Sequence, residues 1–180
     1  GYENSASNYA ALLQIDVGNS AGNRPHSVYV RYPFNVTDPA AFTSLTLRMK
    51  YDDGFVAYLN GNRIESANAP GGTPAWNQSA TGDHPDGSAV LFVDFDVSAD
   101  VDKLVAGPNV LAIHILNNGG SSNATNTGCS SSDMLLIAEL VGADVSPGGG
   151  LVTINTTVEV TARTFDGSNW SAPTSETYVV

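Results

Sequence analysis

Two adjacent carboxylates, Asp52 and Asp53, stand before Gly54 in the stretch YDDGFVAYLNG, and a third, Asp133, follows a polar loop. A hard cation such as Ca2+ takes about six to eight oxygen ligands, and acid-rich loops of a β protein supply them. Asp52, Asp53 and Asp133 are thus candidate ligands of a structural Ca2+, although for the first two the leading reading is a turn capped by their side-chain oxygens, as such pairs usually belong to solvated loops. Trp76, Tyr58 and Tyr29 are candidate stacking surfaces for a sugar ring, because an aromatic ring offers an apolar face beside a polar edge. Trp76 lies in a long polar loop, so it reads equally as a lid on the protein's edge. Asp94 and Asp96 resemble a glycosidase dyad only superficially: alternate strand residues sit about 7 Å apart at Cα whatever their function. His114 has no second histidine at metal-binding spacing and is expected as a satisfied core or interface histidine. Cys129, the only cysteine, can form no intrachain disulfide and is expected as an exposed thiol or an intermolecular bridge. With no G-x-S-x-G, H-E-x-x-H or phosphate-binding loop, the sequence is read as non-catalytic.

These residues need a scaffold, and the pattern of two supplies it. Leu45, Leu47, Met49 and Tyr51 alternate with Thr46, Arg48 and Lys50, which marks a strand with one buried face. Asn60-Gly61 then sets a hairpin turn, since both residues tolerate positive φ. This register predicts Leu59 opposite Asn62, Tyr58 opposite Arg63 and Ala57 opposite Ile64. Phe55, Ala57, Leu59 and Ile64 share one face, and Val56, Tyr58, Arg63 and Glu65 the other. Further strands are expected over 26–36, with Pro33 at an edge or bulge, over 90–97 with Leu91, Val93, Phe95 and Val97 inward, and over 109–116 and 134–140. Asp38-Pro39 opens one helical turn and Ser98 another. Residues 67–88 form a long loop, and long loops in compact domains are commonly functional.

The fold class expected is all-β, an antiparallel jelly-roll β-sandwich with a C-terminal β-hairpin extension. Residues 1–143 make the sandwich, 144–150 a Gly-rich linker, and 151–180 the hairpin. An isolated hairpin is marginal in water. It therefore needs the main sandwich, absent sequence, or another copy of the protein, and Val158, Val160, Trp170 and Tyr178 are the residues expected to carry such assembly.

Eighteen acidic against seven basic residues give a formal charge of −11. That balance repels a phosphate backbone, so no nucleic-acid partner is expected. It suits divalent cations and salty extracellular surroundings. No apolar run is long enough to span a bilayer, and the start at Gly1 fits a mature secreted product or an excised domain.

The segments GYENSASNYAALLQIDVG, SVYVRYPFNVTDPAAFTSLTLRMKYDDGFVAYLNG, NAPGGTPAWN, FDVSADVDKLVAGPNVLAIHILN and SSDMLLIAEL resemble a bacterial secreted jelly-roll module of the galactose-binding-like type. Such modules are found beside lamin-tail and CotH-like segments or polysaccharide-degrading enzymes. INTTVEVTARTFDGSNWSAPTSETYVV is similar to the back half of a chitobiase C-terminal-like, immunoglobulin-type module. The resemblance implies two incomplete modules, hence a fragment, or strands supplied by a neighbour.

The leading functional expectation is a non-catalytic extracellular or cell-surface structural module. It would be a homo-oligomer or polymer, a filament subunit joined by β-strand complementation. The alternative is a carbohydrate-binding module of a secreted polysaccharide-degrading or adhesive protein. Asn77 and Asn123 head Asn-x-Ser/Thr triplets and are glycosylation candidates.

Overall fold

The strands run in chain order as β1 (Tyr2–Glu3), β2 (Ser27–Val36), β3 (Phe42–Asp52), β4 (Gly54–Leu59), β5 (Asn62–Ala67), β6 (Val93–Asp96), β7 (Gly107–Leu116), β8 (Asp133–Asp144), β9 (Leu151–Thr153), β10 (Val158–Arg163) and β11 (Thr174–Tyr178). A one-turn helix α1 (Asp86–Ala89) and two short 3-10 segments, Pro39–Ala41 and Ser98–Lys103, complete the described elements. The computed structural model describes residues 1–3, 9, 11–18, 24–119 and 129–143 in full, and the backbone alone of 144, 151–153, 158–163 and 174–178.

Every pairing among these strands is antiparallel. One sheet has the order β1, β8, β3, β6, with β9 also on β8; the other runs β11, β10, β2, β7, β4, β5. The chain changes sheet at most connections, so residues adjacent in sequence face each other across the core. The result is an all-β sandwich.

The alternation in β3 buries Leu45, Leu47, Met49 and Tyr51 against Phe55, Ala57 and Leu59 of β4, Leu111 and Ile113 of β7, and Phe34 and Val36 of β2. Each fully buried Leu contributes about 2 kcal/mol relative to exposure. A second, smaller cluster lies on the opposite face of the first sheet. There Tyr9, Ala89 and Leu135 pack with Leu12, Leu13, Val90 and Ile137, so the N-terminal segment and α1 cover that face.

Asn60 and Gly61 take φ of 50° and 84°, as the expected turn demands. Nothing lies within 4 Å of where a Gly61 Cβ would stand, so glycine is there for its backbone freedom. Leu59 pairs with Asn62 and Tyr58 with Arg63 as the hairpin register requires, but a bulge then sets Ala57 opposite Glu65. The extra residue keeps Ile64 against the core and moves Glu65 off the outer face, correcting the expected face for that acid.

Asp38 caps the first 3-10 segment, its Oδ1 accepting from Ala40 N at 3.0 Å. The strand expected over 90–97 is shorter. Its first residues follow α1, so Leu91 is 63% exposed rather than in the core, whereas Val97 is buried and Val93 and Phe95 pack against the core. Cys129 is also corrected: it is buried, its amide bonded to Arg24 O at 3.0 Å and its thiol hydrogen-bonded to Tyr2, whose hydroxyl gives it a polar partner away from solvent. That position leaves no sulfur at the surface for a bridge between molecules.

The C-terminal ribbon finds its edge within the same chain. β10 pairs with β2 through Thr161 and Arg31, Ala162 and Val30, and Arg163 and Tyr29. β11 pairs with β10, setting Val158 opposite Tyr178 and Val160 opposite Glu176, and β9 lies on β8. Trp170 and Asn123 lie outside the described residues. Pro33 lies two residues past Arg31, the last β2 residue in register with β10, and pairs with Val110 of β7. Among the described residues, no helix is long and apolar enough to cross a membrane.

Candidate functional site

The acidic candidates converge at the end of β3. Asp52 pairs in register with Leu135 of β8, so Asp133, two residues back along β8, projects to the same side. α1 brings a third carboxylate, Asp86. Ligand atoms of Asp52, Asp86 and Asp133 all lie within 4.8 Å of one another, with Asp52 and Asp133 buried and Asp86 exposed. Tyr9 closes the inner side, its hydroxyl donating to Asp52 Oδ2 at 2.6 Å. Ser131 Oγ lies 3.3 Å from Asp133 Oδ1.

Asp53 is not part of this group. Joined to Asp52 by a cis peptide bond, it is only 3% exposed. Its Oδ1 accepts from His84 N at 2.9 Å and its Oδ2 from Asn118 N at 2.7 Å. Its own amide donates to Leu116 O at 3.2 Å, and its carbonyl accepts from Asn68 Nδ2 at 3.0 Å. Asp53 therefore ties the β3–β4 corner to the end of β7 and to the loop after β5. The strand pair comes so close to that loop that a Cβ at Gly54 would stand 2.6 Å from Asn68 O. The two readings of the acidic pair thus divide: Asp53 caps, and Asp52 faces the cluster.

Burial pushes Asp52 up to about 8; the Tyr9 hydroxyl opposes that rise, and Asp53, Asp133 and Asp86 add to it. Asp53 is also raised, chiefly by burial, against the two amides that hold it. Crowded carboxylates in this state can bind a divalent cation, which neutralises their repulsion and fills the oxygen shell with the help of water. Asp86 escaped sequence reading because it looked like a loop acid. Only the fold of α1 onto the first sheet brings it to Asp52.

The aromatic candidates share another surface, the outer face of the six-stranded sheet. In register across β2, β7 and β4 lie Tyr29, His114 and Val56; the next row holds Arg31, Ala112 and Tyr58, continued by Arg63 of β5. Tyr29 and His114 stack with ring centroids 4.1 Å apart. Tyr58 is close enough to Tyr29 to help raise its phenol, after the larger effect of burial. Both tyrosines are partly exposed.

The loop after β5 crosses this face. Arg63 donates to Gly72 O, and Ser27 Oγ donates to Trp76 O. His114 is hydrogen-bonded to the Trp76 backbone, while Ser79 Oγ lies 3.3 Å from His26 Nδ1. His114 is 2% exposed under this loop, and Trp76 in the loop is half-buried. Burial pushes His114 down to about 4, against the Trp76 hydrogen bond. It is a buried, neutral histidine as its strand position implied, but only partly satisfied: its Nε2 has no hydrogen-bond partner among the described residues. Asn77, in the same loop, is partly buried.

Asp94 and Asp96 have structural duties. Asp94 pairs with Arg48 at 3.0 Å, and Asp96 accepts from the Ser98 hydroxyl and from Ser98 N. The Ser98 bonds hold Asp96 below the usual carboxylate range.

No protein-family profile and no curated protein matches the chain. Among solved structures it is similar to α-L-rhamnosidase from Streptomyces avermitilis, at 17% identity and a TM-score of 0.48 over 80% of this chain and 11% of that one. α-L-Rhamnosidase from Aspergillus terreus matches at 14% identity and 0.47, over 79% and 15%. β-D-Mannosidase from Dictyoglomus thermophilum matches at 15% and 0.33, over 75% and 18%. The chain spans less than a fifth of the length of these enzymes, and a likeness this distant says nothing of activity. The lamin-tail and chitobiase resemblance rests on the sequence text alone.

Proposed function

We propose that the chain is a non-catalytic glycan-binding β-sandwich module of an extracellular or cell-surface protein. It meets sugar rings on the outer face of the six-stranded sheet. The observation that carries this reading is the placement of Tyr29 and Tyr58 in neighbouring rows of that face, partly exposed, beside the loop that carries Trp76. Aromatic rings held by a rigid sheet stack on pyranose faces with little entropy loss. Asp52, Asp86 and Asp133 hold a structural Ca2+ in this reading, pinning α1 and the N-terminal segment to the first sheet.

Affinity electrophoresis through gels containing neutral and acidic polysaccharides tests it. Retardation by at least one polymer, weakened about tenfold by Tyr58→Ala, is the expected result, a loss in the range of one aromatic stacking contact. Free migration in every gel sinks the proposal.

The filament reading keeps one point in its favour: β10 sits on an edge of β2 and follows a Gly-rich linker, so the same pairing can be made between copies. Its pairing within one chain removes the need for a neighbour, which is why glycan binding is preferred. Electron microscopy and size-exclusion across a range of protein concentrations decide between them. Concentration-dependent polymers support strand exchange; monomers at every concentration end it.

A further inference from the structure

From the charge of the same face, and resting on the glycan-binding reading above, we infer that the ligand is an acidic polysaccharide, one whose sugars carry carboxylates. The outward positions of β2, β7 and β4 are Ser27, Tyr29, Arg31, Pro33 and Asn35; Val110, Ala112, His114 and Leu116; and Gly54, Val56 and Tyr58. The chain has eighteen acidic residues, yet none of these positions holds one. Glu65 is turned off this face by the β5 bulge. Arg31 of β2 and Arg63 of β5 lie on it instead; on β10, the strand beside β2, Thr161 stands opposite Arg31 and Arg163 opposite Tyr29, with Glu159 two residues along from Thr161.

The other described cations are occupied. Arg48 pairs with Asp94 and Glu139, and Lys103 with Asp102. Lys50 lies over the Phe92 ring, and Arg24 donates to Ser131 O at 2.7 Å. Arg63 is spent on Gly72 O and Ser66 Oγ. Arg31 is exposed and makes no ion pair among the described residues. Its row neighbour on β10 is Thr161; on the other side come Ala112 and then Tyr58, so a small side chain leaves a shallow floor between a guanidinium and an aromatic ring.

A uronate fits that pair of walls, its ring against Tyr58 and its carboxylate taking the planar guanidinium in a two-point hydrogen bond. The net charge of −11 does not prevent this. Beyond a Debye length of about 8 Å at physiological salt, exposed charges are screened, so the local face decides.

The test compares polygalacturonate with its fully methyl-esterified form, the same sugar with its carboxylates masked, alongside alginate and hyaluronate. Binding of the full chain is measured by affinity electrophoresis and calorimetry at low and high salt. The acid form should bind about tenfold tighter than the ester for at least one polymer, as expected for one charge-assisted contact. That preference should shrink with salt, disappear in Arg31→Gln and persist in part in Arg31→Lys. Equal binding of acid and ester, or a preference that survives in Arg31→Gln, overturns the inference while leaving glycan binding intact. No binding to any polymer, acidic or neutral, overturns both.

Discussion

Replacing Asp52 with Asn should stabilise the protein at alkaline pH without divalent cations and abolish any stabilisation by calcium. Burial, and then the neighbouring acids, push Asp52 up to about 8 against the pull of the Tyr9 hydroxyl; in the unfolded chain an Asp ionises near 3.9. The folded protein therefore holds a proton that the unfolded chain gives up. Stability fully present below about pH 4 is lost as pH rises through about 8. At about 1.36 kcal/mol per pH unit that gap sets a ceiling of about 6 kcal/mol. Relaxation and water at an effective dielectric near 20 reduce it to about 2 kcal/mol. For a chain of this size, that is about 4 to 8 °C in Tm. A bound cation favours the ionised carboxylate, so the calcium increment should grow between pH 5 and 8. Thermal melts of the wild type and Asp52→Asn, across that range in chelator and in calcium, measure both effects. A wild-type Tm in chelator that does not fall with pH, or falls equally in Asp52→Asn, refutes the account of Asp52. A full calcium increment in Asp52→Asn removes it as a ligand.

His114 works in the other direction. Held down near 4 by burial, it refuses a proton that the unfolded chain accepts below about 6.5, so stability is lost as pH falls from about 6.5 to about 4, by at most about 3 kcal/mol. His114→Phe keeps an aromatic ring under the loop and should flatten that acid limb; an unchanged limb in urea titrations contradicts the assignment. Asn60→Ala should cost about 2 to 4 kcal/mol, because Asn60 Nδ2 donates to Lys103 O at 2.8 Å and Asn109 Oδ1 at 2.7 Å while its Oδ1 accepts from Val110 N at 2.8 Å. Asn60→Gly restores the backbone freedom but not those bonds. Equal stability of Asn60→Gly and the wild type would show that only the turn conformation matters.

The hairpin from Tyr51 to Gly61 was legible because alternation and an Asn-Gly turn are properties of a few neighbouring residues. The bulge at Ile64 and Glu65 was not, since it answers to what β4 and the core accept, and a single inserted residue leaves little trace in the alternation. Leu91 looked inward by the same alternation, until α1 shortened the strand before it.

Local chain chemistry, by itself, determined the strands, the turns and which side chains share a face, because φ/ψ preference and a period of two act over a few residues. It also singled out Asp52 and Asp133, and Tyr29 and Tyr58, as types worth watching. Tertiary structure alone decided that Asp86 joins the acids while Asp53 leaves them to hold two loops, and that the one thiol lies inside. It likewise set Arg31 on a face whose β2, β7 and β4 positions hold no carboxylate. Those outcomes depend on contacts between segments far apart in the chain, whose geometry is fixed only when the two sheets close on a common core.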